Sequence, residues 1–154
     1  MADSIRQQII DEVIDQLETI TIENGYKTDA GKSIYEWRKF PVNKNETPCL
    51  IVADPECEIT EEEGSIHDHR LTIEIGIIES GADTSGSLRE LIADVCKAIG
   101  IGARENWNDL AYDTEPGGDS TDIEHRDRIY GDTSFKIIIC YRTPAWDPYE
   151  TSNA

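Results

Sequence analysis

The sequence predicts an α+β fold, a single layer of mostly antiparallel β-sheet with two amphipathic helices packed on one face. Three observations carry this. Two stretches, "IRQQIIDEVIDQLETI" and "SLRELIADVCKAIG", repeat apolar residues at helical spacing. Between them "IHDHRLTIEIGIIES" alternates apolar and polar residues with period two. The first three strand-like segments follow one another without crossover helices, so most neighbours should pair antiparallel.

The first helix rests on Ile5, Ile9, Val13, Leu17 and Ile20, with Ile10 and Ile14 widening the stripe. Ser4 and Gln7 fit a capping box at its start, and Asn24-Gly25 supplies a stop. Asp11, Glu12, Asp15 and Glu18 form its solvated face. "SIYEWRKFPV" then reads as a strand ended by Pro41, and "PCLIVADP" as a short central strand. From Asp54 to Glu63 there are six acids and no base, which suits a loop or an exposed hairpin tip.

After the long strand, "SGADTSGS" is a loop by composition. Ser87 and Glu90 suggest a second capping box, and Gly100 and Gly102 the end of the second helix. "ARENWNDLAYDTEPGGDSTD" reads as a long irregular stretch, anchored by Trp107, Leu110 and Tyr112 and mobile from Glu115 to Asp119. "IEHRDRIY", Gly131-Asp132 and "FKIIICYRTP" look like a hairpin, or a strand bulged near the glycine. A polar tail begins at about residue 144. No repeat or linker divides the chain, so residues 1–154 are expected to form one domain.

With 32 acidic against 14 basic residues the formal charge is −18, which opposes nonspecific nucleic-acid binding. No apolar run approaches the ~20 residues of a membrane span, and the N-terminus lacks a signal-peptide pattern, so no membrane is expected. Cys49, Cys96 and Cys140 sit in apolar runs and read as buried free thiols, in keeping with a reducing cytoplasm.

His67 and His69 have the spacing of paired ligands on one strand face, with His125 as a third donor if its strand lies adjacent. No cysteine shares a ligand spacing with them, and the expectation is no metal and no cofactor. Gly100-Ile101-Gly102 follows a helix instead of a strand and is not a dinucleotide loop. The acidic run at Glu61-Glu62-Glu63 lacks the spaced ligands of a calcium loop. With no catalytic signature, no catalytic residue and no enzyme are expected.

The order of elements resembles the tail terminator proteins of long-tailed bacteriophages, also called minor tail or tail completion proteins. The stretches that carry it are "IRQQIIDEVIDQLETI", "NGYKTDAGKSIYEWRKFPV" leading into "TPCLIVAD", "HRLTIEIGIIES", "SLRELIADVCKAIG" and "DTSFKIIICYRTPAWDP". The resemblance implies a subunit that forms a ring with itself, usually a hexamer, in the virion at the head-proximal end of the tail tube. Its partners would be the tail tube protein and the head connector or neck proteins. Assembly would take place in the host bacterial cytoplasm, and DNA would pass through the lumen without specific binding. Six copies would carry 6 × −18 = −108 formal charges, so closure would need local complementarity and screening. Arg104, Arg126, Arg128, Lys136 and Arg142 are candidate basic partners, and Trp107, Tyr112, Trp146 and Tyr149 candidate aromatic anchors. An alternative for the aromatics is that they fold back on their own domain. A head–tail adaptor ring and an acidic DNA mimic are the competing functions.

Overall fold

The computed structural model describes residues 3–38, 44–62, 64–81, 83–125 and 129–152. It is an α+β layer: one mixed, mostly antiparallel five-stranded sheet with helices on one face. The chain runs α1 (Ile5–Glu18), β1 (Ile34–Glu36), β2 (Cys49–Glu62), β3 (Ile66–Ser80), α2 (Thr84–Arg104), β4 (Asp113–His125) and β5 (Ile129–Pro144). In space the strands lie in the order β1-β2-β3-β5-β4. The β1–β2 pair is parallel and the other three are antiparallel.

The long strand β3 is central, and its period-two alternation divides the sheet into two faces. Leu71, Ile73, Ile75 and Ile77 point to the helix side and are fully buried. They meet Ile9, Val13 and Leu17 of α1 and Leu88, Leu91, Val95 and Ala98 of α2 in one core cluster. Each fully buried side chain of this size stabilises the fold by about 1.5–3 kcal/mol relative to exposure, so the core is what sets the register of β3. No described helix is long and apolar enough to cross a membrane.

Local chemistry explains the helix ends, with some departures from expectation. Ser4 caps α1 by accepting from the Gln7 N–H at 3.1 Å, while the Gln7 side chain donates to Asp11 instead of closing the box. The helix stops at Glu18, before Asn24-Gly25, which instead close a short 3-10 turn over Ile22–Asn24. The second helix starts at Thr84, so Ser87 lies inside it and is not its cap. Nor do Gly100 and Gly102 end it, because it continues to Arg104. Gly102 has another role: a Cβ there would lie 2.2 Å from the Trp107 ring, which packs on the bare helix backbone.

The stretch expected to be irregular is ordered as a left-handed turn followed by a strand. Residues Asn106, Trp107, Asn108 and Asp109 all have positive φ, between 50° and 62°. Asn and Asp tolerate this region, and Trp107 is compensated by burial. Its ring is 2% exposed and its Nε1–H donates to Thr114 Oγ1 at 2.9 Å. Edge strand β4 then includes Glu115 to Asp119, with a register shift between Pro116 and Asp119. Proline and two glycines read as a loop, but at an edge they are absorbed by a bulge while β5 supplies the ladder.

The hairpin is also displaced. Gly131-Asp132 lies within β5, paired with Ile123 and Asp122, and the pairing of β4 with β5 extends to His125 and Ile129. Gly131 is needed where α2 crosses closest, since a Cβ there would lie 2.2 Å from Leu88 Cδ1. Of the two readings of the run after Asp54 the exposed hairpin is the one found: β2 continues to Glu62 as one arm of a hairpin with β3, and its acids point largely to solvent. The strand expected over "SIYEWRKFPV" is short, Ile34–Glu36, and its expected end at Pro41 lies outside the described residues. Among the cysteines, Cys49 and Cys140 are buried, Cys57 is half-buried and Cys96 is exposed, against expectation. Cys96 falls on the solvent side of α2, whose buried stripe passes through Val95 and Ile99.

Candidate functional site

Three surfaces of the sheet carry chemistry beyond packing. The first is the end of β3 where the helices no longer cover it. His67 and His69 continue the inward-facing series of Leu71 and Ile73, and both are buried. The cover comes from the C-terminal segment. Ala145 N donates to Ser65 O, Ile5 N to Pro148 O and Ser152 N to Arg142 O, all at 2.8–2.9 Å, which straps that segment across the sheet end.

His69 is held on three sides. Its ring stacks on Tyr141 at 4.4 Å with an interplanar angle of 6°, and its Nε2 hydrogen-bonds Thr143 Oγ1 at 2.9 Å. Cys57 Sγ lies 4.0 Å from its Nδ1. Burial, and then the neighbouring His67, holds its pKa below the ordinary imidazole value. The His67 ring packs edge-on to His69 at 6.3 Å and to Trp146 at 4.7 Å, and its Nδ1 accepts from the Trp146 N–H at 3.5 Å. Beside them opens a cleft of about 460 Å³ lined mainly by Ile59, His67, His69, Thr143, Trp146 and Pro148, with Glu61 and Asp147 as its acids.

The three histidines of the possible metal site are not brought together. His125 pairs with Ile129 at one end of β5, whereas His67 pairs with Thr143, fourteen positions along the same strand (143 − 129). That is roughly 45 Å at strand rise.

The second surface is the face of the sheet turned away from the helices. Asp68, Arg70 and Glu74 of β3 project there, beside Lys136, Cys140 and Arg142 of β5 and Asp113 and Glu115 of β4. Charges on this face are cross-paired. Arg70 binds Glu115 through both guanidinium nitrogens, Lys136 lies 3.4 Å from Glu74, and Arg142 lies 3.7 Å from Asp68. Tyr112 donates to Asp68 at 2.7 Å, and Arg142 stacks over its ring at 4.3 Å. Such partly exposed pairs are screened by solvent and fix register more than stability.

Within this face Asp113, Glu115 and Cys140 present ligand-type atoms within 4.8 Å of one another. Glu115 is already bound by Arg70, which holds its carboxyl below the usual range, and it accepts from Cys140 Sγ at 3.3 Å. Burial, with Glu115 adding to it, pushes the Cys140 thiol up to about 12. Cys140 is thus a protonated donor to a carboxylate, and a metal would have to displace both that proton and Arg70.

The third surface lies at the β1–α1 edge. Arg6 Nε and Trp37 Nε1 both donate to the Asp54 carboxylate, at 2.8 and 3.0 Å, and Trp37 is largely exposed.

The aromatic and basic candidates therefore separate. Trp107 belongs to the core and is not available as a surface anchor, because the left-handed turn drives its ring onto Gly102. Tyr112 is half-buried on its own domain. Trp146 is 87% exposed, and Tyr149 is also exposed. Arg104 is exposed in the last turn of α2. Arg126 and Arg128 lie outside the described residues. Sequence reasoning missed the Glu115–Arg70–Cys140 group, which joins three strands and has no local signal. It also missed the strap over His67, although an aromatic after a strand-ending proline was a usable hint. In comparisons with known proteins, no model of a protein family and no curated protein sequence matches this chain.

Proposed function

We propose that this chain is a structural subunit that assembles into a hexameric ring, capping the head-proximal end of a bacteriophage tail tube and offering the surface to which a head connector attaches.

The feature that supports the reading is the order of elements. The stretches that resemble tail terminators supply α1, β1 into β2, β3, α2 and β5, and they join in one layer. A helix-covered sheet of this kind has one face committed to its own core. It leaves the other face and both strand edges for neighbours, and a ring needs two different contact surfaces on each subunit. Arg70, Lys136 and Arg142 on the uncovered face are already paired within the subunit, so closing a ring of −18 chains calls for screening and for complementary contacts elsewhere. A neighbouring head–tail adaptor ring is the second reading, since both roles call for a small ring subunit.

Negative-stain electron microscopy of the purified chain, alone and mixed with tail tubes, tests the proposal. Rings with a central hole, seated at one end of each tube, are expected. Rings that bind connectors and ignore tubes would move the assignment to an adaptor. Small featureless particles under both conditions would refute it and favour a monomeric acidic binding module.

A further inference from the structure

Among the described residues the outer edge of β2 is bare over most of its length, and the neighbour on that side, β1, pairs with Leu50 to Val52. Among the described residues no strand lies beside Glu56 to Glu62, while the inner edge of this stretch is fully paired with β3. Ile59, in the middle of the bare stretch, is 54% exposed. The cleft under the C-terminal strap opens directly beside it, with Ile59 and Glu61 forming one wall.

The cleft holds an unspent donor. His67 is 6% exposed, and its Nδ1 accepts from the Trp146 N–H. In the neutral ring the proton then sits on Nε2. That N–H has no partner among the described residues, on a ring that lines the cleft. Around it are apolar walls from Ile59, Trp146 and Pro148, and two carboxylates, Glu61 and Asp147. Four glutamates and no base lie on the bare strand itself.

We propose that the outer edge of β2 between Glu56 and Glu62 receives an extended, basic segment of another protein, with one arginine or lysine of that segment seated in the cleft. The segment adds a strand to the sheet, and main-chain hydrogen bonds supply its register. The apolar stem of the basic side chain covers Ile59 and lies on the Trp146 face, where a cation is favoured by the indole ring. Its charge meets Glu61 and Asp147, and the His67 Nε2–H donates to a carbonyl of the segment. The acidic strand attracts a basic segment and repels a second copy of itself. The proposal does not depend on the ring reading, although both use Trp146.

The test uses the full chain and the peptide acetyl-Val-Thr-Arg-Thr-Val-amide, with two controls in which citrulline or glutamate replaces the arginine. Binding is followed by backbone amide shifts and by the His67 ring protons in NMR titrations. The arginine peptide should shift the amides of Glu56 to Glu62 and the His67 ring. The citrulline peptide should bind about tenfold more weakly, since a charge-assisted contact is replaced by a neutral one. The glutamate peptide should not bind. Glu61→Gln, an exposed substitution that leaves the fold intact, should weaken the arginine peptide several-fold and leave the citrulline peptide unchanged. Equal affinity for arginine and citrulline peptides, shifts that map elsewhere, or no binding at millimolar peptide would each overturn the proposal. So would shifts of the same amides that grow with the chain's own concentration without peptide, because the edge would then pair with a second copy.

Discussion

The two halves of β3 obey one alternation and differ in what covers them. From Leu71 to Ile77 the inward side chains are aliphatic, and two helices close over them. At His67 and His69 the same face is aromatic and polar, and a strap of irregular chain closes over it. Apolar burial alone fixes the first half. The second is fixed by stacking and a few hydrogen bonds, so it keeps a cleft and an exposed tryptophan. Closed core and open cleft thus share one strand because the cover changes along it.

The largest effects should fall on the helix-covered half. Ile75→Ala should cost about 2–5 kcal/mol and Trp107→Ala about 3–5 kcal/mol in denaturant unfolding, because each leaves a cavity under α2. Gly102→Ala should cost about 1–3 kcal/mol, since its methyl group would enter the Trp107 ring. A small effect of Trp107→Ala on folding, with loss of assembly instead, would return that residue to the surface.

At the strapped half the effect should depend on pH. Burial lowers the pKa of His69 in the fold, so the unfolded chain takes up its proton first as pH falls. The stability this gives is present above the unfolded value near 6.5 and is lost as pH falls toward the lowered folded value. Between about pH 7.5 and pH 5 the thermal midpoint of the native chain should therefore fall relative to that of His69→Gln. Parallel curves for the two proteins would show that His69 titrates freely.

The smallest effect on stability should come from Trp146→Ala, within about 0.5 kcal/mol, because most of the side chain is in solvent. The same change should weaken association in sedimentation experiments. Unchanged association would leave the exposed indole without a contact role.

The core was legible from residue spacing because burial imposes period two on β3 and a four-residue stripe on α1. β4 was not, since Pro116, Gly117 and Gly118 carry turn chemistry and only pairing with β5 holds them extended. Trp107 reads as a surface aromatic in a polar stretch, and its burial depends on a left-handed turn and on Gly102, neither of which has periodicity. Of the candidate site, His67 and His69 stood out by spacing. Their cover did not, because Trp146 and Pro148 reach them across 79 and 79 residues of chain (146 − 67 and 148 − 69).

The proposal that the chain occupies the end of a tube is tested most directly on growing tubes. Labelled protein is added while tail tubes elongate, and lengths and label positions are read by electron microscopy. One label cluster per tube is expected, at one end, with growth halted there and stoichiometry far below that of the tube protein. Labels scattered along the walls, or tubes that lengthen past the label, would contradict it.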